Sequence, residues 1–200
     1  MKVNRLSLES ARADILKDMA ASIIHSIVYN RALGLMQPRE AKCLYLNAFF
    51  MKCADPTYEQ LIDQKVGEFF DNAARPSEGA NNGEIAIQFF TQQSTLSQSF
   101  FAGQAKKEYW ERWEVSVKLL PSGAKAAVDE DEQINQALQS VASGVLQSLD
   151  AVPQMYEGLK CYQFEIEVPK KLQQAQSAAG AGHGRTGSFF DGFFKKLVTN

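Results

Sequence analysis

Apolar positions recur along this chain with two different periods, and each change of period marks a change of element. Residues 2–8, KVNRLSL, alternate imperfectly and predict a short edge strand. From about Ser10 to Gly34 the spacing becomes helical. Leu16, Ala20, Ile23, Ile24, Ile27 and Val28 form a stripe of the kind that lies against a sheet. The aromatic and aliphatic run AKCLYLNAFFMKC, residues 41–53, predicts a strand. Asp55-Pro56 then sets an N-cap before a proline at the first helical position. The helix it opens runs to about Arg75, with Tyr58, Leu61, Ile62, Val66, Phe69, Phe70 and Ala73 on one wide apolar face. RPSEGANNGE, residues 75–84, reads as a turn-rich loop.

In the second half, Ile85, Ile87 and Phe89 alternate as a strand. A polar loop at 91–107 follows. Trp113, Val115, Val117 and Leu119 then alternate with Arg112, Glu114, Ser116 and Lys118, the pattern of a half-buried strand. Trp110 stands three before Trp113, so the pleat predicts opposite faces for the two rings. Trp113 belongs to the core, and Trp110 is either covered by the loop or exposed to a partner. Asp129, Glu130, Asp131 and Glu132 suit the N-terminal dipole of a helix at 130–150. Ile134, Leu138, Val141, Val145 and Leu149 mark its expected buried face. KCYQFEIEV, residues 160–168, alternates Tyr162, Phe164, Ile166 and Val168 with Cys161, Gln163, Glu165 and Glu167. Residues 170–187, rich in Gln, Ala and Gly, have the composition of a flexible linker. A short amphipathic helix is predicted at 188–200, with Phe189, Phe190, Phe193, Phe194 and Leu197 in one stripe.

The order is β, α, β, α, β, β, α, β, α, with the core at 1–169 and the last helix beyond it. It predicts an α+β fold, mainly antiparallel, with helices packed on one face of the sheet. Length agrees with one domain and a tail, at 200 residues. With 21 basic and 23 acidic side chains the net charge is -2, which argues against a broad basic surface for nucleic acid. No apolar run reaches the roughly 18–20 residues of a membrane span, and MKVNRLSLES does not read as a secretory signal.

Candidate chemistry is sparse. Cys43, Cys53 and Cys161 are widely spaced and, with His25 and His183, complete no zinc set. They read as reduced, buried thiols of a cytosolic protein, and the two histidines as structural and inert. Glu111, Glu114, Glu165 and Glu167 are expected along solvated strand faces, not as an acid–base pair in a cleft. With no phosphate loop and no nucleophile elbow, no enzyme, metal or cofactor is expected.

The element order is that of a HORMA domain, and local segments narrow it. LIDQKVGEFFDNA at 61–73, GEIAIQFF at 83–90, YWERWEVSV at 109–117, HSIVYNRALG at 25–34 and GLKCYQFEI at 158–166 resemble the autophagy-related protein 101 family. The resemblance implies a non-enzymatic adaptor of the autophagy-initiation kinase complex, in the cytoplasm and at the phagophore assembly site. Its implied partners are the HORMA domain of autophagy-related protein 13 and other subunits of that complex. The family's exposed Trp-x-Phe finger falls at the 91–107 loop, where this chain has Phe100-Phe101 and no Trp. Those two rings are either an exposed anchor or packed under the loop. Gln133, Gln136, Ser140 and Ser143 are expected on the outer face of the 130–150 helix, either solvated or at the HORMA dimer interface. Phe189, Phe190, Phe193 and Phe194 either dock on the sheet or bind a partner groove or, peripherally, a membrane. A second reading within the same fold is a closure-motif binder of the Mad-two type in another pathway.

Overall fold

A four-stranded sheet in the order β1-β5-β4-β6 forms the floor of the protein: β1 is Lys2–Ser10, β4 Asn82–Gln92, β5 Lys107–Leu119 and β6 Gln163–Glu167. The computed structural model describes residues 1–31, 37–73, 82–92, 107–121, 123–153 and 163–168. The account below concerns these, all within the unit Met1–Lys170. Both β4–β5 and β4–β6 are antiparallel, but β1 runs parallel to β5. The sheet is therefore mixed, and β1 is an edge strand as its sequence suggests.

One face of the sheet carries Leu8, Ile85, Ile87, Phe89, Trp113, Val115, Phe164 and Ile166. Three helices cover it: α1 (Ala13–Arg31), α2 (Pro56–Ala73) and α3 (Glu130–Gln147). α1 lies in the middle, and Ile15, Leu16, Met19, Ala20, Ile23, Ile24, Ile27 and Val28 are all buried. Each fully buried aliphatic side chain contributes about 1.5–3 kcal/mol relative to exposure, so this helix anchors the core. α1 begins three residues after the predicted start. Ser10 still belongs to β1, and its hydroxyl accepts the Arg12 amide at 2.9 Å. α2 starts where expected, with the Asp55 carboxylate accepting the Thr57 amide at 2.8 Å.

Residues 41–53 are not one strand. They belong to a hairpin of β2 (Pro38–Lys42) and β3 (Phe49–Cys53), a separate two-stranded sheet packed on α1. The apolar run CLYLNA reads as continuous, yet it is the turn. The Cys43 amide donates to the Ala48 carbonyl at 3.0 Å, and Cys43, Leu46 and Ala48 are buried.

The odd spacing of the two tryptophans also misleads. Phe89 pairs with Glu111 and Phe90 with Tyr109, so Trp110 is the extra residue of a β-bulge. The bulge turns Trp110 inward beside Phe89, with ring centroids 5.6 Å apart, and both tryptophans are buried. Trp110 is neither on the Arg112 face nor exposed.

Candidate interaction surface

α3 is fixed to the fold by contacts along its inner side. The Asp129 carboxylate caps it, accepting the Asp131 amide at 3.2 Å. Ser10 donates its hydroxyl to Glu130. Gln133 is buried, not on the outer face as expected. Its amide oxygen accepts the Glu9 amide at 2.6 Å, and its amide nitrogen donates to the Glu9 carbonyl at 3.1 Å. The side chain thus stands in for a neighbouring strand at the β1 edge. At Gly144 the helix sits so close to the sheet that an added Cβ would lie 2.6 Å from the Trp113 ring.

The helix is closed below by a buried ion pair. Arg31, in the last turn of α1, meets the Glu111 carboxylate at two points, 2.5 and 2.8 Å. The side chains are 3% and 0% exposed. Ser148, the C-cap of α3, donates to Glu111 at 3.0 Å, and Arg31 reaches both Ser148 and the Val145 carbonyl. Asn4 of β1 donates to Glu111 at 3.1 Å, and the Arg31 guanidinium lies 5.8 Å from the Trp110 ring centre. Glu111 is therefore no solvated strand residue. The bulge at Trp110 lets it face inward, and its charge is compensated there.

The outer side of α3 is exposed at Gln136, Gln139, Ser140, Ala142, Ser143, Leu146 and Gln147. The sequence holds no charged residue between Glu132 and Asp150. Leu146 is 67% exposed and Leu149 58%. Leu149 was expected inside, but α3 ends at Gln147 and a single 3-10 turn, Leu149–Ala151, carries it outward. Of the four predicted interface residues, Gln136, Ser140 and Ser143 share this surface and Gln133 does not. Exposed Leu146 was legible as an apolar residue outside the core stripe.

The opposite face of the sheet is a lattice of paired charges. Arg112 contacts Glu114 at 2.9 Å and Glu167 at 2.6 Å, and Arg5 meets Glu114 at 2.9 Å. Lys107 and Tyr109 share Glu165. Burial, reinforced by that carboxylate, pushes the Tyr109 hydroxyl up to about 12. A cleft of about 660 Å³ at the end of β6 is lined by Lys65, Glu68, Arg112 and Glu167, and Lys65 and Glu68 are paired at 2.7 Å. His25 is buried between α1 and α2, 3.6 Å from Asp63. Burial lowers its pKa, against the pull of Asp63. Cys43 and Cys53 are buried and free of disulfides, and burial pushes the Cys53 thiol up to about 11.

Phe100, Phe101, Cys161, His183, the 170–187 stretch and the four terminal phenylalanines lie outside the described residues. Both strands that flank residues 93–106 are described, and Trp110 and Glu111 lie near the start of β5.

Residues 8–157 match the family described as autophagy-related protein 101. A relative of that name from Arabidopsis thaliana is 24% identical over 183 residues, an overlap that covers 80% of this chain and 83% of the relative.

Proposed function

Because the chain belongs to the autophagy-related protein 101 family, we propose that it is a non-enzymatic adaptor of the autophagy-initiation kinase complex, pairing through α3 with the HORMA domain of autophagy-related protein 13 and stabilising it. Membership makes it an autophagy-related protein; the adaptor role is the reading that the surface of α3 supports.

The supporting observation is the uncharged outer face from Gln136 to Leu149. A purely solvated helix face ordinarily carries Lys, Glu and Arg, and 22% of this chain is charged. Interface cores are depleted of Lys and Glu, since each buried charge costs several kcal/mol unless paired. Small and amide side chains at Gln136, Ser140 and Ser143 permit close approach, with Leu146 as an apolar anchor. In this reading the loop holding Phe100 and Phe101 recruits downstream factors. The adaptor works in the cytoplasm and at the phagophore assembly site, with no more than peripheral membrane contact. Among the described residues no helix is long and apolar enough to cross a membrane.

Calorimetric titration with the HORMA domain of autophagy-related protein 13 tests the pairing. Gln136→Arg with Ser140→Arg is expected to weaken binding at least about tenfold, through charges desolvated only in the complex, while the free chain unfolds unchanged. Equal binding by the double variant would remove α3 from the interface.

A further inference from the structure

The turn of the β2–β3 hairpin, residues 43–48, is clamped from both sides. Beyond its own closing bond, the Tyr45 amide donates to Asp18 of α1 at 3.0 Å and the Asn47 amide to Asp131 of α3 at 2.7 Å. Cys43 also shares a hydrogen bond with Ser22 of α1 at 3.2 Å, beneath the turn. The same clamp turns two apolar side chains outward. Leu44 is 83% exposed, and Tyr45, more than half exposed, lies under the Arg12 guanidinium at 5.4 Å.

A lone exposed leucine needs no explanation. Here a leucine and a tyrosine are adjacent on a turn whose backbone is already clamped, so a partner closing over them would meet little further backbone ordering cost. Their surroundings are acidic. Asp18 and Asp131 touch the turn, Glu130 begins α3 beside it, and Asp14 pairs with Arg12. The Arg12 cation over Tyr45 is thus already paired, and Lys42 is engaged over the Phe49 ring at 5.6 Å.

We propose that this hairpin tip docks a basic segment of a partner protein, one that presents an apolar side chain flanked by Lys or Arg. Leu44 and Tyr45 supply the apolar contact, and Asp18 and Asp131 the attraction. The sign of that field repels an anionic lipid surface. The tip lies beside the first turn of α3, away from the neutral face of Gln136 and Ser143, and the inference does not rest on the pairing proposed above.

The test uses the full chain with three probes. These are a labelled peptide with a central Leu-Phe pair between lysines, the same centre between glutamates, and phosphatidylserine vesicles. The lysine-flanked peptide is expected to bind, to weaken as salt rises, and to shift the amide resonances of Leu44, Tyr45 and Asn47. Leu44→Ser is expected to weaken it about tenfold, as is Asp18→Asn with Asp131→Asn, which keeps the oxygen acceptors of the clamp and removes the charge. Melting temperatures of the variants report that the fold is kept. Absence of binding, equal binding of the glutamate-flanked peptide, resonance shifts confined to other surfaces, or unchanged binding by Leu44→Ser would each overturn the proposal. So would vesicle binding or self-association that Leu44→Ser abolishes.

Discussion

Arg31 and Glu111, 80 residues apart in the chain, face each other through two hydrogen bonds with neither side chain reaching solvent. The pair joins the end of α1 to the bulge of β5 and, through Ser148, to the end of α3. Removing one charge strands the other in the core. Arg31→Met is therefore expected to cost about 3–5 kcal/mol, and Arg31→Met with Glu111→Leu considerably less. Urea unfolding of the single and double variants measures the difference. A double-variant loss equal to the sum of the two single losses would mean that the charges act independently.

Gly144 sets how closely α3 approaches the sheet. Alanine there gains about 1 kcal/mol of helix propensity but forces the Trp113 ring to move, at about 1–3 kcal/mol. Gly144→Ala should be destabilising by about 1 kcal/mol, with altered tryptophan fluorescence. A more stable variant would show that α3 shifts at no cost.

Stability should fall on the acid side through His25. Its ordinary value is 6.5, and burial lowers the folded-state value. Well above 6.5 the imidazole is neutral in both states, and its contribution is fully present. As pH drops below 6.5 the unfolded chain takes up a proton that the folded chain resists, so stability is lost down to the folded value. Melts across this range, beside His25→Asn, should show a steeper acid loss for the native chain. Parallel curves would place the acid sensitivity elsewhere.

Replacing both Phe100 and Phe101 by Ser separates the two readings of that loop. If the rings are an exposed anchor, stability should change by no more than about 0.5 kcal/mol, and recruitment of downstream factors should fail while HORMA pairing persists. A loss of several kcal/mol with recruitment intact would place the rings in the core and remove the loop's role.

What the sequence made legible were the elements whose period holds from end to end. The stripe on α1, Ile62, Val66 and Phe69 of α2 and the alternation through Trp113, Val115 and Val117 all lie in the core as expected. Phe69 on a helix, and Trp113 and Phe164 on two strands, are buried as the pattern requires. The departures share one cause, a local break in period with no Gly or Pro to mark it. The turn at Leu44-Tyr45 is written in strand residues. The bulge at Trp110 inserts one residue and returns to alternation. Leu149 leaves the core because the helix has already ended. Burial of Glu111 and Gln133 was hidden for another reason: each is satisfied by a group far off in the chain, Arg31 for one and the Glu9 backbone for the other. A hint was present in Arg31 itself, a lone cation closing an otherwise apolar stripe. As for the interaction surface, the polar stripe of α3 was visible, but not which of its amides turned inward.

The parallel pairing of β1 with β5 also sets an order of events during synthesis. Arg5 precedes its partner Glu114 by 109 residues. At about 5–20 residues per second, a ribosome leaves β1 waiting roughly 5–20 s for the strand it will join. Through that interval α1 has no sheet to lie on, and its isoleucines are open to other nascent chains. Assembly is gated by the late arrival of Lys107–Leu119, and an early stop before that strand would release a chain whose first strand and central helix have nowhere to fold.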